Sequence, residues 1–402
     1  MKHALFLVFL IPGLASAGVL PEHTSGQFGA TVLTTQHTEF SSGSYYFDDR
    51  SFAWLESTLR AAGTWRLLDS LTLSVGGVAA ATVDVDYYRR RDDILGVIDP
   101  LRLDLRLRGL QLTAGRQDFV IGDGFLVADG FNDDLAARYS IPLKYWDGLS
   151  ARAELGREVR LAGLAANLSG SFGYRGLSAR GQVYAGDVAW SHGPLDLAAT
   201  AFARVDDGTA DLDLRIVSGR GAYRLGDVTL SGEYAHQGGS IVGAPTRAYG
   251  YHADLQYAPS EDAFVRLRHA RFSGDDPSTP TNEGFQSWHY GSLDWEQWYL
   301  GDIVGARYLL NANERAYSVD GAFAPAEGWT ARLLLEYFDF DRSLPGRSRH
   351  FATESDFVLD YQPTDAWEFW FLFAAAAPGE GAPFPLGDKV TTEAFLNLTY
   401  RF

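Results

Sequence analysis

The sequence predicts an all-β protein, a single transmembrane antiparallel β-barrel of about 18 strands. Three observations indicate this fold class. Segments of about ten residues with alternating apolar and polar side chains recur from Gln27 onward. Turns of a few residues alternate along the chain with longer polar stretches. The first residues resemble a secretory signal, so the chain is directed to a compartment beyond the inner membrane.

The N-terminal segment has the pattern of a cleaved signal peptide. Lys2 and His3 precede an apolar run from Ala4 to Leu14, which is followed by the small residues of Ala15-Ser16-Ala17. A retained membrane anchor is the alternative, but the run is shorter than the roughly 20 residues that span a bilayer as a helix. We expect residues 1–17 to be removed and residues 18–402 to form one barrel domain.

Composition narrows the function classes. The chain has no cysteine, which excludes a disulfide-stapled fold and a cysteine metal site. Its net charge of -17 argues against nucleic acid as a partner, because binding to phosphate backbones needs a concentrated basic surface. No cofactor is expected.

The alternation is clearest in LRLDLRLRG at residues 101–109, where four leucines share one face and Arg102, Asp104 and Arg106 share the other. A helix would scatter these charges around its circumference, whereas a strand separates them from the leucines. Residues 212–216, 264–268 and 329–337 repeat the pattern. The aromatic run AWEFWFLFAAAAP at residues 366–378 is too short for a membrane helix and is predicted as a strand.

Aromatic residues cluster near the ends of these segments, which suits the interfacial girdles of outer-membrane barrels. This cluster includes Trp146, Trp298 and Tyr299. Two of the long polar stretches, 119–144 and 273–294, are candidates to fold into the mouth of the pore. The alternating segments that we predict as strands number eighteen or nineteen. We take eighteen because bacterial single-chain barrels have an even number of strands.

The segment LNLTYRF at residues 396–402 reads as one more amphipathic strand. In lipid its backbone groups must all be paired, so we expect it to pair with the first strand and close the barrel. A soluble β-sandwich is the less favoured alternative. Phe402 resembles the recognition signal for the barrel assembly machinery. Outer-membrane lipid is then the surrounding partner, and the barrel is expected to be a monomer.

Residues opposite the apolar faces should line the lumen. By this rule the candidate pore residues are Arg60, Arg102, Arg106, Arg152, Arg215, Arg266, Arg268, Arg332, Asp104 and Glu336. Arginine rows select anions, and carboxylates opposite them orient a solute in a transverse field. The alternative is that these charges are salt bridges that hold neighbouring strands in register, each contributing up to about 1 kcal/mol.

Two stretches resemble the alginate-export family of outer-membrane porins. The first is LQLTAGRQDFVIGDGFL at residues 110–126. The second covers residues 295–341 and contains an aromatic-rich strand, the Gly301-Asp302 step and the Asn311-Ala312-Asn313 turn. The resemblance implies an eighteen-stranded channel with an arginine-lined constriction that passes a uronate polysaccharide outward. By motif only Arg116 carries over as a pore arginine, and Phe125 stands where the family often has a basic residue.

Other chemistries have weaker patterns. The acidic run ADGFNDD offers Asp129, Asp133 and Asp134 to Ca²⁺, but it lacks the spacing of a defined calcium loop. An outer-membrane enzyme would need a Ser or Thr nucleophile with a histidine base, and no Gly-x-Ser-x-Gly elbow occurs among the scattered histidines. We therefore predict that the chain is not an enzyme.

The function predicted from the sequence is a passive outer-membrane channel of a Gram-negative cell. Its solute is expected to be an anionic oligosaccharide of the alginate type or a small organic acid. The alternative is a weakly selective general porin, and a surface adhesin is less favoured because the loops carry few binding features.

Overall fold

The computed structural model describes residues 21–38, 41–42, 45–46, 50–86, 94–128, 131–132, 144–169, 180–206, 212–287, 298–309, 311–382 and 389–402. Across these ranges the chain forms a closed antiparallel β-barrel of 18 strands, as the sequence predicts. The predicted signal peptide and the calcium candidates Asp129, Asp133 and Asp134 lie outside the described residues.

The strands are β1 His23–Thr38, β2 Arg50–Leu68, β3 Leu71–Asp86, β4 in two pieces Ile94–Val97 and Leu101–Leu107, β5 Leu110–Gln117, β6 Lys144–Leu155, β7 Val159–Ser169, β8 Arg180–His192, β9 Leu195–Asp206, β10 Leu212–Leu225, β11 Val228–Ile241, β12 Ala244–Ser260, β13 Ala263–Phe272, β14 Glu314–Phe323, β15 Trp329–Phe340, β16 His350–Thr364, β17 Trp367–Pro378 and β18 Thr391–Arg401. Shorter elements are the pair Ser41–Ser42 and Tyr45–Tyr46, the segment Phe131–Asn132 beside β6, and a π-helix at Val304–Leu309.

The barrel closes through β1, which pairs with β2 on one side and with β18 on the other. The β1–β18 register runs from Gln27 opposite Arg401 to Gln36 opposite Thr392. Closure leaves no open sheet edge, which lipid would not tolerate because it supplies no hydrogen-bond partners for the backbone. Within the described ranges no helix is long and apolar enough to cross a membrane. The run at residues 366–378 is strand β17, as predicted.

The outer face carries the apolar side chains. One row that follows the register across four strands consists of Leu255, Leu267, Val319 and Leu335, each between about 45 and 49% exposed. Alternate residues on the same strands, such as Asp254 and Arg268, point inward and are buried. The predicted segregation of apolar and charged faces is therefore present in β12–β15, and Leu101, Leu103 and Leu107 of β4 are likewise exposed.

In the first half of strand β10 the side chains point in the opposite directions to those predicted. Leu212, Leu214 and Ile216 are buried inside the barrel, while Arg215 points outward and its side chain is 73% exposed. Arg215 forms an ion pair with Asp213 on that outer surface. The prediction that Arg215 lines the pore is wrong, because this part of the inner wall packs against a loop and is therefore apolar.

The sequence also predicts an aromatic-rich strand just before the Gly301-Asp302 step, and the structure differs from this prediction. Residues 298–303, the described part of this stretch and of the step itself, form no strand. Trp298 and Tyr299 are buried inside the barrel, and so is Trp146 of β6. These three aromatics therefore do not belong to an interfacial girdle. The hairpin predicted after the Asn311-Ala312-Asn313 turn is present as β14 and β15.

Short connections join the strands at one end of the barrel and long ones predominate at the other. Two-residue turns follow β2, β8 and β10, as predicted. At the opposite end, Asp341 holds the long connections together. Its carboxylate accepts hydrogen bonds from Nε of Arg271 at 2.6 Å, Nε of Arg315 at 2.8 Å and the amide of Gly274 at 3.1 Å. Burial alone raises the pKa of Asp341, but these donors bring it below its usual value.

Replacing Leu267 with arginine should lower the free energy of unfolding by about 2–4 kcal/mol, the cost of a cation on the lipid face near the bilayer midplane. Reversible urea unfolding in phospholipid bilayers measures this change. Glu327→Arg on the exposed turn before β15 is the control and should change stability little. Equal losses for the two variants would contradict the outward placement of Leu267.

Replacing Asp341 with asparagine should destabilise the protein by roughly 1–3 kcal/mol at pH 7, because it removes hydrogen bonds between charged groups. Since the folded-state pKa of Asp341 is depressed, its contribution is fully present above the unfolded-state pKa and is lost as the pH falls through the folded-state value. The difference in unfolding free energy between the two proteins should be constant from about pH 7 to 5 and narrow below about pH 4.

The control for this measurement is Asp365→Asn, on the exposed turn between β16 and β17. A wild-type advantage that grows on acidification would show that Asp341 is not held as a carboxylate.

Candidate functional site: a constricted lumen

Two inward-folded segments narrow the barrel. Loop A is residues 118–128, after β5, and loop B is residues 298–309, before β14. In loop A, Phe119, Ile121 and Val127 are buried, and Ile121 pairs with Val127 as an isolated bridge. The indole N–H of Trp146 donates to the carbonyl oxygens of Phe119 at 3.2 Å and Ala128 at 2.9 Å. Loop A is therefore held from the barrel wall at both of its ends.

The wall that faces loop A is apolar, which explains the buried leucines of β10. The buried cluster that contains loop A also contains the wall residues Leu164, Val183, Phe202, Leu214 and Ile216. Burial of apolar side chains stabilises the loop by roughly 1.5–3 kcal/mol for each large residue. The barrel thus has an internal hydrophobic core on one side of its lumen.

Loop B is fastened by carboxylates rather than by strand pairing. Its amides of Ile303 and Val304 donate to Glu354 at 2.6 and 2.7 Å, and the amide of Asp302 donates to Asp356 at 3.0 Å. Gly301 has a φ of 78°, and a Cβ there would lie 2.2 Å from Oε2 of Glu336. Only glycine lets the backbone approach these side chains so closely.

The two loops meet inside the barrel. The amide of Trp298 in loop B donates to the carbonyl oxygen of Asp123 in loop A at 2.8 Å. The ring of Phe125 contacts that of Trp298 edge-on, with centroids 4.9 Å apart, and stacks on Phe272 of β13 at 5.7 Å. Loops A and B therefore form one obstruction inside the barrel. The loop after β13 also reaches the inner wall, since Phe285 packs against Phe272.

Arginines of β4, β6, β7 and β10 lie on the inner wall beside loop A, in two adjoining register rows. The strand registers place Arg106 opposite Gln111, and Gln111 opposite Arg152. Arg152 donates to the carbonyl oxygen of Val120 at 3.2 Å and lies 4.6 Å from the ring of Phe119. We call the arginines Arg106, Arg152, Arg160 and Arg220 the basic row.

Arg220 of β10 sits beside the tip of loop A. It donates to Asp187 and to the hydroxyl of Thr200, both at 2.8 Å. Gly122 lies so near that a Cβ there would be 3.1 Å from Nε of Arg220. Arg220 thus fixes the wall and also forms part of the constriction.

The basic row opens into a cavity of about 1090 Å³ between loop A and the short turns. Its charged lining residues are Arg106, Arg152, Arg160, Arg220, Arg224, Asp123, Glu154, Asp187, Asp196 and Glu233, together with His252. Arg106, Arg152 and Arg160 are exposed to the lumen. The cavity is polar and mixed in charge, and three guanidinium groups on one side are open to solvent.

Three predicted pore arginines are instead used in buried ion pairs. Arg268 donates from Nε and Nη2 to the two carboxylate oxygens of Asp254, at 2.7 and 2.9 Å, and lies 4.5 Å from the ring of Trp298. Arg332 donates to both oxygens of Asp320, which also binds Arg266. All three point inward as predicted, but their contacts are those of salt bridges between neighbouring strands.

The remaining candidates fall into two groups. Arg60, Arg102, Arg106, Asp104 and Glu336 lie on the inner face. Arg116 lies on the outer face of β5 with the exposed Leu112, donates to Asp147 at 2.7 and 2.9 Å, and stacks 3.7 Å from the ring of Tyr145. The prediction that Arg116 is a pore arginine is therefore wrong, because its register neighbours on that face are outward-facing residues.

Sequence reasoning missed Arg160 and Arg220. The signal for Arg220 was present, since Val217, Tyr223 and Leu225 in the second half of β10 are apolar and alternate with it. The first half of the strand has the opposite pattern, with Leu212, Leu214 and Ile216 on the same face as Arg220.

Two groups of side chains bring possible metal ligands together within the described ranges. The donor atoms of Asp123, Glu233 and His252 lie within 4.8 Å of one another at the cavity, and those of Glu336, Glu354 and Asp356 do so beneath loop B. Carboxylate oxygens at such distances suit a hard divalent cation. In the second group the carboxylate of Glu354 already accepts the loop B amides.

No protein-family profile matches the chain, and no curated protein is similar to it. Among solved structures it resembles Pseudomonas aeruginosa OccK5 (OpdH), with 12% identity and a TM-score of 0.63 over 95% of this chain and 99% of that one. It also resembles P. aeruginosa OpdK with vanillate, with 12% identity and a TM-score of 0.63. A third similar structure is P. aeruginosa OccK2 (OpdF) in complex with glucuronate, with 14% identity and a TM-score of 0.62. Both matches cover 95% of this chain and 99% of the other.

At these identities the likeness shows the fold, which is that of outer-membrane channels. This fold and the apolar outer band place the chain in the outer membrane, as predicted. The resemblance to the alginate-export family is not confirmed.

Replacing Glu354 with alanine should loosen loop B, because two backbone amides lose their acceptor at a cost of about 1–3 kcal/mol each. We expect a lower free energy of unfolding and a larger, noisier single-channel conductance in planar bilayers. Thr353→Ala, the exposed neighbour on the outer face, is the matched control. Unchanged conductance in Glu354→Ala would show that loop B does not limit the pore.

Proposed function

We propose that the protein is a passive outer-membrane channel for a small organic anion, with the basic row as its selectivity element. One observation carries the proposal: the guanidinium groups of Arg106, Arg152 and Arg160 are open to the lumen, whereas Glu354 and Asp356 on the far wall are occupied by loop B amides. In the same cavity lining Glu154 is also exposed, so three open guanidinium groups stand beside one open carboxylate, and the charge that a passing solute meets is weighted toward arginine.

The geometry favours a solute of modest size with a carboxylate. Guanidinium groups bind carboxylates through paired hydrogen bonds, and a low-dielectric wall strengthens that attraction. The cavity of about 1090 Å³ is slightly larger than the roughly 300–1,000 Å³ of typical small-molecule sites. OpdK binds vanillate and OccK2 binds glucuronate in the solved structures, and each ligand carries one carboxylate. A uronate monomer or a small aromatic acid is thus the class that we favour.

The alginate-type oligosaccharide remains a prediction for the solute. A chain would have to thread past loops A and B, which meet through Trp298 and Asp123. The absence of enzymatic activity likewise stays a prediction, although the fold is that of channels.

The charge balance of the cavity favours a second candidate, the weakly selective general porin. Five carboxylates accompany the five arginines of the lining, so the mean field along the path is small. Selectivity then depends on which charges are free, and Arg220 and Arg224 are paired with Asp187 and Asp196.

Reversal potentials across a salt gradient in planar bilayers distinguish the two candidates. We expect a preference for chloride over potassium and block of the current by glucuronate. Arg106→Gln with Arg152→Gln should lower the anion preference by at least about twofold, because the local anion concentration follows the charge of the wall.

Arg215→Gln is the control, since that arginine faces outward and should leave the reversal potential unchanged. Cation preference or indifference of the wild-type channel would refute the anion channel.

A further inference from the structure

A second group of arginines lies on the outside of the barrel at the end with the long loops. We call it the rim cluster, and its members are Arg247, Arg271, Arg315, Arg342 and Arg349. They line a cavity of about 550 Å³ together with the rings of Tyr234 and Tyr249. Arg271 and Arg315 stand directly opposite each other on β13 and β14. The cavity faces away from the lumen, so no solute in the pore reaches it.

The strand registers fix the height of the rim cluster relative to the membrane. The apolar row of Leu267 and Val319 lies lowest. Two residues farther along each strand, His269 stacks on Tyr317, with ring centroids 4.5 Å apart. Two residues beyond these lie Arg271 and Arg315.

The order along the outer surface is thus aliphatic, aromatic and then cationic. Aromatic side chains mark the membrane interface in such barrels. The arginines accordingly lie at the level of the lipid head groups.

The charges of the rim cluster are only partly neutralised. The single carboxylate of Asp341 forms ion pairs with both Arg271 and Arg315. Arg342 forms ion pairs with Asp276 at 2.8 Å and Glu283 at 2.7 Å. Asp339 stands opposite Arg315 in the register of β14 and β15.

Arg247 and Arg349 are exposed and make no ion pair within the described ranges. The lining therefore holds five arginines against the carboxylates of Asp341 and Glu283.

We propose that the rim cluster binds the phosphate groups of a phosphorylated glycolipid in the outer leaflet. A lipid is the occupant because the cavity is on the lipid-facing side and continues upward from the aliphatic and aromatic rows. A phosphate is the matching group because guanidinium forks bind it through paired, charge-assisted hydrogen bonds. Basic pockets beside membrane-spanning segments recognise anionic head groups by the same chemistry. This inference is independent of which solute the channel passes.

Binding of bisphosphorylated lipid A to the full-length protein in detergent micelles, followed by native mass spectrometry, tests the proposal. Arg247→Gln with Arg349→Gln removes the two unpaired cations and should weaken binding by about tenfold or more. Arg116→Gln removes an outward arginine of β5, which does not line the cavity, and should not change binding. Heat-modifiable gel migration shows whether each variant is folded. Arg247→Lys with Arg349→Lys should recover only part of the affinity, because an ammonium group keeps the charge but loses the paired hydrogen bonds of the guanidinium group.

Two comparison ligands identify the group that is bound. Dephosphorylated lipid A should bind at least about tenfold more weakly, and inorganic phosphate alone should not compete at equal concentration. Equal binding of the phosphorylated and dephosphorylated lipids, or equal binding by the wild type and the Arg247→Gln, Arg349→Gln variant, would overturn the proposal. Competition by inorganic phosphate at the concentration of the lipid would replace the lipid site with a simple anion site.

Discussion

The structure depends on one constraint: in lipid every backbone N–H and C=O must be paired within the protein. The pairing of β1 with β18 meets this constraint, and it brings together residues 27–36 and 392–401. Once the sheet is closed, side chains have only two directions, outward to lipid and inward to the lumen. The outer aliphatic band, the inner charges and the rim cluster all follow from this division.

Different parts of the inner surface of the barrel have different structural roles. One side is an apolar core formed by loop A and β7–β10. Another is a pair of carboxylates on β16, Glu354 and Asp356, which accept hydrogen bonds from the backbone amides of loop B. Between them the ion pairs of Arg266, Arg268 and Arg332 connect neighbouring strands. The charged groups that remain open to solvent include Arg106, Arg152 and Arg160, with Glu154 beside them.

Much of the fold was predictable from the sequence, because alternation is a local property that the closed sheet only confirms. Leu267 and Arg268 show this, with the leucine exposed to lipid and the arginine buried inside. Alternation predicts the wrong side-chain direction where a loop inside the barrel covers the inner wall. Leu214 is as apolar as a lipid-facing leucine, but it packs on loop A, so the direction of Arg215 was assigned to the wrong side.

Loop B was missed for a related reason. Residues 298–303 have the composition of a strand, yet their amides find Glu354 and Asp356 instead of a neighbouring backbone. Arg116 shows a further limit, since a motif match does not specify side-chain direction and Gly115, with a φ of 112°, precedes it. These residues depend on contacts between segments far apart in the chain, which a local pattern does not contain.

The attachment of loop B determines which positions inside the barrel can vary. Gly301, Glu336 and Glu354 are mutually constrained, since any side chain at position 301 would collide with the carboxylates. The basic row touches none of them. Substitutions among its members therefore leave the obstruction in place, so the charge of the inner wall and the shape of the obstruction can vary independently.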